Sequence, residues 1–143
     1  MKIEIINGPN LNLLKKREPE IYGHQSFDDF LLKLRKLFPD IDFGYFQSNV
    51  EGEIINKIQE MGFLCNGIIL NAGGYSHTSV AIADAVAAIT CPVIDVHLTN
   101  IFAREEYRHF SIVGSKCKGS ISGFGLNSYV LAVRALKGET GKR

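Results

Sequence analysis

Apolar residues recur along this chain in two alternating rhythms. Short runs rich in Ile and Val lie at 2–7 (KIEIIN), 67–74 (GIILNAGG) and 92–100 (PVIDVHLTN). Their cores, GIIL and PVI, are unbroken, as in strands buried on both faces. Between them the apolar positions fall at helical spacing. Over 26–38 they are Phe27, Phe30, Leu31, Leu34 and Phe38, with Ser26 placed to cap, Asp29 three residues later as a capping-box acid, and Pro39 to end the helix. Over 50–63 the stripe is Val50, Ile54, Ile58 and Met61. Residues 76–89 predict a helix of small side chains, and 126–138 a closing helix with Gly138 just past its end. Two further strands are predicted at 41–48 and 119–125.

Strand and helix alternating along the whole chain predict an α/β domain with a parallel sheet. Five strands in 143 residues suit a flavodoxin-like, doubly wound sheet in a single domain, 1–143. An eight-unit barrel needs about 250 residues. One connection stands out: residues 8–23, GPNLNLLKKREPEIYG, form a long loop, and loops of that length in compact domains are usually functional or disordered.

Composition narrows the class. A net charge of +1 leaves no nucleic-acid footprint, and the basic runs 15–17 and 141–143 read as solvated surface. No stretch nears the roughly 18 apolar residues of a membrane span. The amino terminus lacks the shape of a signal peptide, since Glu4 interrupts its apolar run. Cys65, Cys91 and Cys117 are odd in number, form no C-x-x-C and sit among apolar or small residues. They read as buried or half-buried thiols in a reducing compartment, hence the cytoplasm.

Open parallel sheets bind ligands beyond the carboxyl ends of their strands. Three predicted strands end in Asn7-Gly8-Pro9-Asn10, in Asn71-Ala72-Gly73-Gly74 and in His97-Leu98-Thr99-Asn100. The long loop leaves from the same edge. These ends gather amides, glycines and an imidazole where the default site of the fold lies, although polar residues end strands in any case. Taken alone, His97 reads first as a structural, hydrogen-bonded histidine. Asp95, two residues earlier, points to the same face, and a carboxylate there can orient an imidazole for general acid work. His77 opens a predicted helix and faces a ligand or water. Asp84 sits among alanines, which suits either a close neighbour, such as another chain, or plain helix surface. Arg104 and Arg108, four apart, predict one helical face that meets an anionic ligand or pairs with Glu105 and Glu106. The spacing of His97, Glu105, Glu106 and His109 matches no metal-ligand motif.

With these residues in view, the chain resembles the type II 3-dehydroquinate dehydratases. The matching pieces are NGPNLNLL with REP and YG (7–23), QSNVEGEIINKIQ (47–59), LNAGGYSHTSVAIADA (70–85), PVIDVHLTNI (92–101) and REEYRH (104–109). The resemblance implies a flavodoxin-like fold. It implies loss of water from 3-dehydroquinate to give 3-dehydroshikimate, on the route to aromatic amino acids, without metal or organic cofactor. It also implies a homododecamer built from trimers. Tyr22 is then the base, as its phenolate, with Arg17 five residues upstream to make it acidic; the loop 8–24 is a lid carrying both. Asn10 stabilises the enolate oxygen and His97 protonates the leaving hydroxyl. The backbone N–H groups of Leu98 and Thr99, with Asn71, hold the substrate carboxylate, and Gly73 and Gly74 permit close approach. His77 and Arg108 hold ring hydroxyls, and Asp84 enters from a neighbouring subunit.

Two positions depart from that pattern. Lys15 stands where a Gly is expected, and Asp95 where a Glu is expected two residues before the histidine. The shorter acid predicts a longer contact to His97. Other classes fit less well. A receiver domain needs acids where this chain has Asn7 and Asn71; an FMN carrier needs a phosphate loop richer in Ser, Thr and Gly than NGPNLNLL; and a Ser-His hydrolase needs G-x-S-x-G, which is lacking.

Overall fold

The structure, a computed structural model, describes residues 1–16, 20 and 25–140. Five strands, β1 (Lys2–Asn7), β2 (Asp42–Gln47), β3 (Gly67–Asn71), β4 (Val93–His97) and β5 (Gly119–Ser122), form one sheet in the order β2-β1-β3-β4-β5. All four pairings are parallel. This is the flavodoxin-like order, and the connections reverse direction between β1 and β3.

Helices α1 (Phe27–Leu37) and α4 (Asn127–Thr140) cover one face; α2 (Glu51–Met61) and α3 (Val80–Ala88) cover the other. The pleat divides each strand between them. Ile3, Ile5, Ile69, Ile94 and Val96 pack towards α1 and α4, while Ile6, Ile68, Leu70 and Val93 pack towards α2 and α3. Five expected α1-face residues, Phe27, Phe30, Leu31, Leu34 and Phe38, are buried. Ser26 caps α1 by accepting the Asp29 backbone N–H at 3.1 Å. The helix stops at Leu37 because Phe38, preceding Pro39, is pushed out of helical conformation.

The expected boundaries move in three places. Val50 is exposed rather than part of the α2 stripe, since it is the cap residue and lies outside the helical turns. The predicted helix over 76–89 starts only at Val80; Gly73–His77 form a 3-10 turn, and Ser79 caps α3 through the Ile82 N–H. Arg104 and Arg108 do not share an α-helix. Residues 101–116 carry three separate 3-10 turns, Ile101–Ala103, Glu106–Arg108 and Gly114–Lys116. Among the described residues no helix is long and apolar enough to cross a membrane.

One buried charge sits on β1. Glu4 is 3% exposed, and burial raises its carboxyl pKa above 4.5 despite the attraction of Lys57 and Lys2. A raised folded-state value means that the native chain holds the proton longer than the unfolded one. Its contribution to stability is therefore fullest below pH 4.5 and is lost as the pH rises through the folded value. Glu4→Gln should melt at a higher temperature than the parent at pH 7, and thermal melts below about pH 4 should show the difference gone, because both side chains are then neutral.

Candidate active site

The ends of β1, β3 and β4 enclose a cleft lined by Asn10, Asn71, His77, His97, Leu98, Thr99 and Arg108, together with Gly73, Gly74 and Arg104. Its volume, about 150 Å³, is that of a cavity able to take up a single six-membered ring. Ten of the residues singled out in the sequence thus line one cleft. Asp84 does not: it is exposed on α3 and lines no part of its own chain's cleft. Arg17 and Tyr22 lie outside the described residues.

The floor of the cleft is where the strand order reverses. The Gly8 N–H donates to the Asn71 carbonyl at 2.7 Å, and a Cβ on Gly8 would overlap the Ala72 carbonyl. Gly73 holds φ +62° against the Pro9 backbone, a conformation that costs a side chain dearly. Gly74, by contrast, faces open space. Asn10 is in the left-handed region at φ 70°, which asparagine tolerates better than most. Its N–H donates to Asn49 Oδ1 at 3.1 Å, and Gln47 Nε2 ties the Gly8 carbonyl at the same distance.

His97 is 6% exposed, and its Nε2–H donates to Asp95 Oδ2 at 2.7 Å. The shorter acid therefore reaches the imidazole without loss of contact, contrary to the expectation from its length. Ser120 Oγ, from β5, donates to the same oxygen at 2.9 Å. With Nε2 committed, Nδ1 is the nitrogen His97 can offer to a ligand. His77 stacks beside it, with ring centroids 5.9 Å apart. Its Nδ1–H donates to the Phe110 carbonyl at 2.9 Å, and burial lowers its pKa below 6.5. His77 is thus neutral at neutral pH and keeps Nε2 as an acceptor.

Two cations also line the cleft. Arg104 Nη1 reaches Thr99 Oγ1 at 3.4 Å, and Arg108 Nε bonds Glu105 Oε2 at 2.9 Å. Among the described residues, the backbone N–H groups of Leu98 and Thr99 meet no protein acceptor. Two such amides in succession favour an anion.

The least expected part lies beneath. Tyr129, fully buried on α4, donates its hydroxyl proton to Asn7 Oδ1 at 2.7 Å and accepts Asn71 Nδ2–H at 3.0 Å. The Gly73 N–H donates to Asn71 Oδ1 at 3.2 Å. These two bonds fix the orientation of the Asn71 amide: its oxygen is taken, and its second N–H is left for the cleft. Burial raises the pKa of Tyr129, and of Tyr45 next to it, so neither phenol can serve as a base near neutrality. Sequence reasoning missed Tyr129, Asn7 and Ser120 as supports. Asn7 was legible only as a strand end, and Tyr129 only as a polar atom in a largely apolar helix.

The family model described as dehydroquinase class II matches residues 1–137. A 3-dehydroquinate dehydratase of Pelodictyon phaeoclathratiforme is 49% identical, over 98% of this chain and 94% of that protein. One of Fusobacterium nucleatum is 52% identical, over 93% and 94%. The crystal structure of a type II dehydroquinase from Butyrivibrio crossotus superposes with a TM-score of 0.92 at 42% identity, covering 96% of this chain and 97% of that one.

Tyr129→Phe keeps the ring but strands two buried amide groups, and leaving such groups unpaired costs about 1–3 kcal/mol. Urea denaturation should read a loss of that size, with the denaturant slope unchanged. A loss no larger than that of an ordinary surface substitution would mean the amides find other partners.

Proposed function

The chain belongs to the class II dehydroquinase family, and on that premise we propose how its cleft takes water from 3-dehydroquinate. The enzyme is a type II 3-dehydroquinate dehydratase of the shikimate pathway. The product is 3-dehydroshikimate, formed by anti elimination through an enolate.

The substrate carboxylate takes the Leu98 and Thr99 N–H groups and the second N–H of Asn71. This reading is supported by the unpaired amides, by the fixed orientation of Asn71 and by the positive charge of Arg104 and Arg108 beside them. The ring then lies over the strand ends, with hydroxyls towards His77 Nε2 and Arg108. His97 gives a proton from Nδ1 to the departing hydroxyl, while Asp95 holds the ring through Nε2 and stabilises the imidazolium before transfer. Asn10, at the rim, donates to the developing enolate oxygen, directly or through water.

Tyr22 takes the proton α to the ketone. A phenol ionises near pH 10, and lowering that by about three units needs roughly 4 kcal/mol of differential stabilisation. The Arg17 guanidinium on the same segment supplies it, more strongly as residues 8–24 close and exclude water. The assignment gains from elimination: Tyr129 and Tyr45, near the cleft floor, are held neutral by burial. Asp84, exposed on α3, serves the cleft of a neighbouring subunit in a homo-oligomer, a dodecamer built from trimers. The three free thiols suit a reducing compartment, and we place the enzyme in the cytoplasm.

The observation that carries this reading is the convergence of an Asp-oriented His97, a neutral His77 and paired backbone amides in one ring-sized cleft. Mixing the protein with 3-dehydroquinate should produce the ultraviolet absorbance of the conjugated enone, and no signal from the parent protein would remove the proposal. Tyr22→Phe and His97→Gln should each lower kcat by about 10²–10⁴-fold, the usual worth of a positioned base or acid. Asp95→Asn should act in the same direction, with a changed pH profile. Borohydride should not inactivate the enzyme, since no step uses a lysine Schiff base.

A further inference from the structure

Two thiols meet at the end of the sheet opposite the cleft. Cys65 and Cys91 lie just ahead of β3 and β4, neighbouring parallel strands whose other ends carry Asn71 and His97. Their Sγ atoms are 3.7 Å apart. The backbone sets this distance. The Cys91 N–H donates to the Gly62 carbonyl at 3.1 Å, and the Thr90 hydroxyl donates to the same oxygen at 3.3 Å. The Cys65 N–H is held by the Met61 carbonyl at 3.1 Å. A Cβ on Gly62 would overlap Ile89, so the two segments close to this distance because that position is glycine.

The two sulfurs are not equivalent. The Cys91 S–H bonds to Cys65 Sγ and, against the effect of burial and of the Glu4 carboxyl, brings the Cys65 thiol down to about 7. The same contact, with burial, pushes Cys91 up. Both residues are only half-buried, so a small reagent can reach them. Cys117 differs: burial and the Asp95 charge push its thiol up, and its Sγ–H donates to the Val113 carbonyl.

We propose that Cys65 and Cys91 are a modification site, a dithiol that closes to a reversible internal disulfide by exchange with a small disulfide of the glutathione class. The Cys65 thiolate attacks one sulfur of oxidised glutathione, forms a mixed disulfide and expels one glutathione thiolate. The Cys91 sulfur then attacks Cys65 Sγ and expels the second, its proton passing to the glutathione released. The two cysteines are oxidised, one glutathione disulfide is reduced to two thiols, and the sulfurs close from 3.7 Å to the roughly 2.05 Å of the bond. The cross-link joins the turn after α2 to the turn after α3. It constrains the unfolded chain and touches no residue of the cleft.

The test incubates the full chain with oxidised glutathione, alkylates the remaining thiols in denaturant and reads the mass. The parent should take up one alkyl group in place of three, carry no glutathione, yield a linked peptide pair containing Cys65 and Cys91, and revert with dithiothreitol. It should also melt at a higher temperature with its turnover retained. Cys117→Ser should form the same link. Cys91→Ser should stop at a glutathione adduct on Cys65, and Cys65→Ser should form no internal link. Three alkyl groups on the oxidant-treated parent, glutathione adducts without a link, or a link that survives Cys65→Ser would each overturn the proposal.

Discussion

A single phenol proton organises the floor of the cleft. Asn7 ends β1 and Asn71 ends β3, and both amides are buried where the strand order reverses. Neither reaches the other. The Tyr129 hydroxyl, arriving from α4, donates to one and accepts from the other. A phenol has one proton and can donate to only one of the two amides. The Gly73 N–H takes the Asn71 oxygen and so sets the direction: Asn7 presents oxygen, Asn71 presents nitrogen, and its second N–H is left for the cleft. A buried hydrogen-bonded network rigidifies its surroundings, and in this one Asn7 Nδ2 alone is left without a partner among the described residues. Here it makes an amide that could bind either charge into a donor for an anion.

The same constraint explains why the architecture was open to sequence reasoning and this part of the site was not. Apolar rhythm is local. Ile3, Ile5 and Ile69 read as buried strand, and Phe27 to Leu34 as one helical face, from neighbours a few residues away. Chain order then places strand ends together, so Asn10, Asn71 and His97 could be gathered on one edge before any contact was known, while His77 and Arg108 joined them only through the family resemblance. Tyr129 stands 122 residues from Asn7, and inside the closing helix it reads as one more large apolar side chain. Nothing within a helical turn of it marks the hydroxyl as spoken for. Arg104 and Arg108 failed in the other direction. Their spacing suits a helix, but the segment holds successive 3-10 turns, and the two guanidiniums meet at the cleft from separate turns.

Asp95 shows where a length argument stops short. A shorter acid is expected to lose contact with its histidine if both Cα positions stay fixed. On a strand, side chains two apart lean over the same face, and the gap they must bridge is set by twist and by what packs above. Asp95 closes to 2.7 Å from His97 and takes a second donor from Ser120 on the neighbouring edge strand. The carboxylate is thus held between two strands. Its contact with Ser120 depends on the pairing of β4 with β5, which carries no trace in the local sequence of either.

A parallel sheet has two unlike ends, and this chain uses them differently. At the carboxyl ends the connections diverge at the reversal between β1 and β3, leaving a gap that polar side chains line. At the amino ends of β3 and β4 the incoming turns converge, and Gly62 lets them pack until two sulfurs touch. Chemistry at one end therefore depends on spaces that tight packing would fill, and chemistry at the other on packing that any added atom would prevent. Strands that run unbroken and fully buried between the ends, as β3 and β4 do, couple them only through a stiff core. A bond formed at the amino ends would add constraint to turns already fixed, and leave the amides and imidazoles at the carboxyl ends where the sheet holds them.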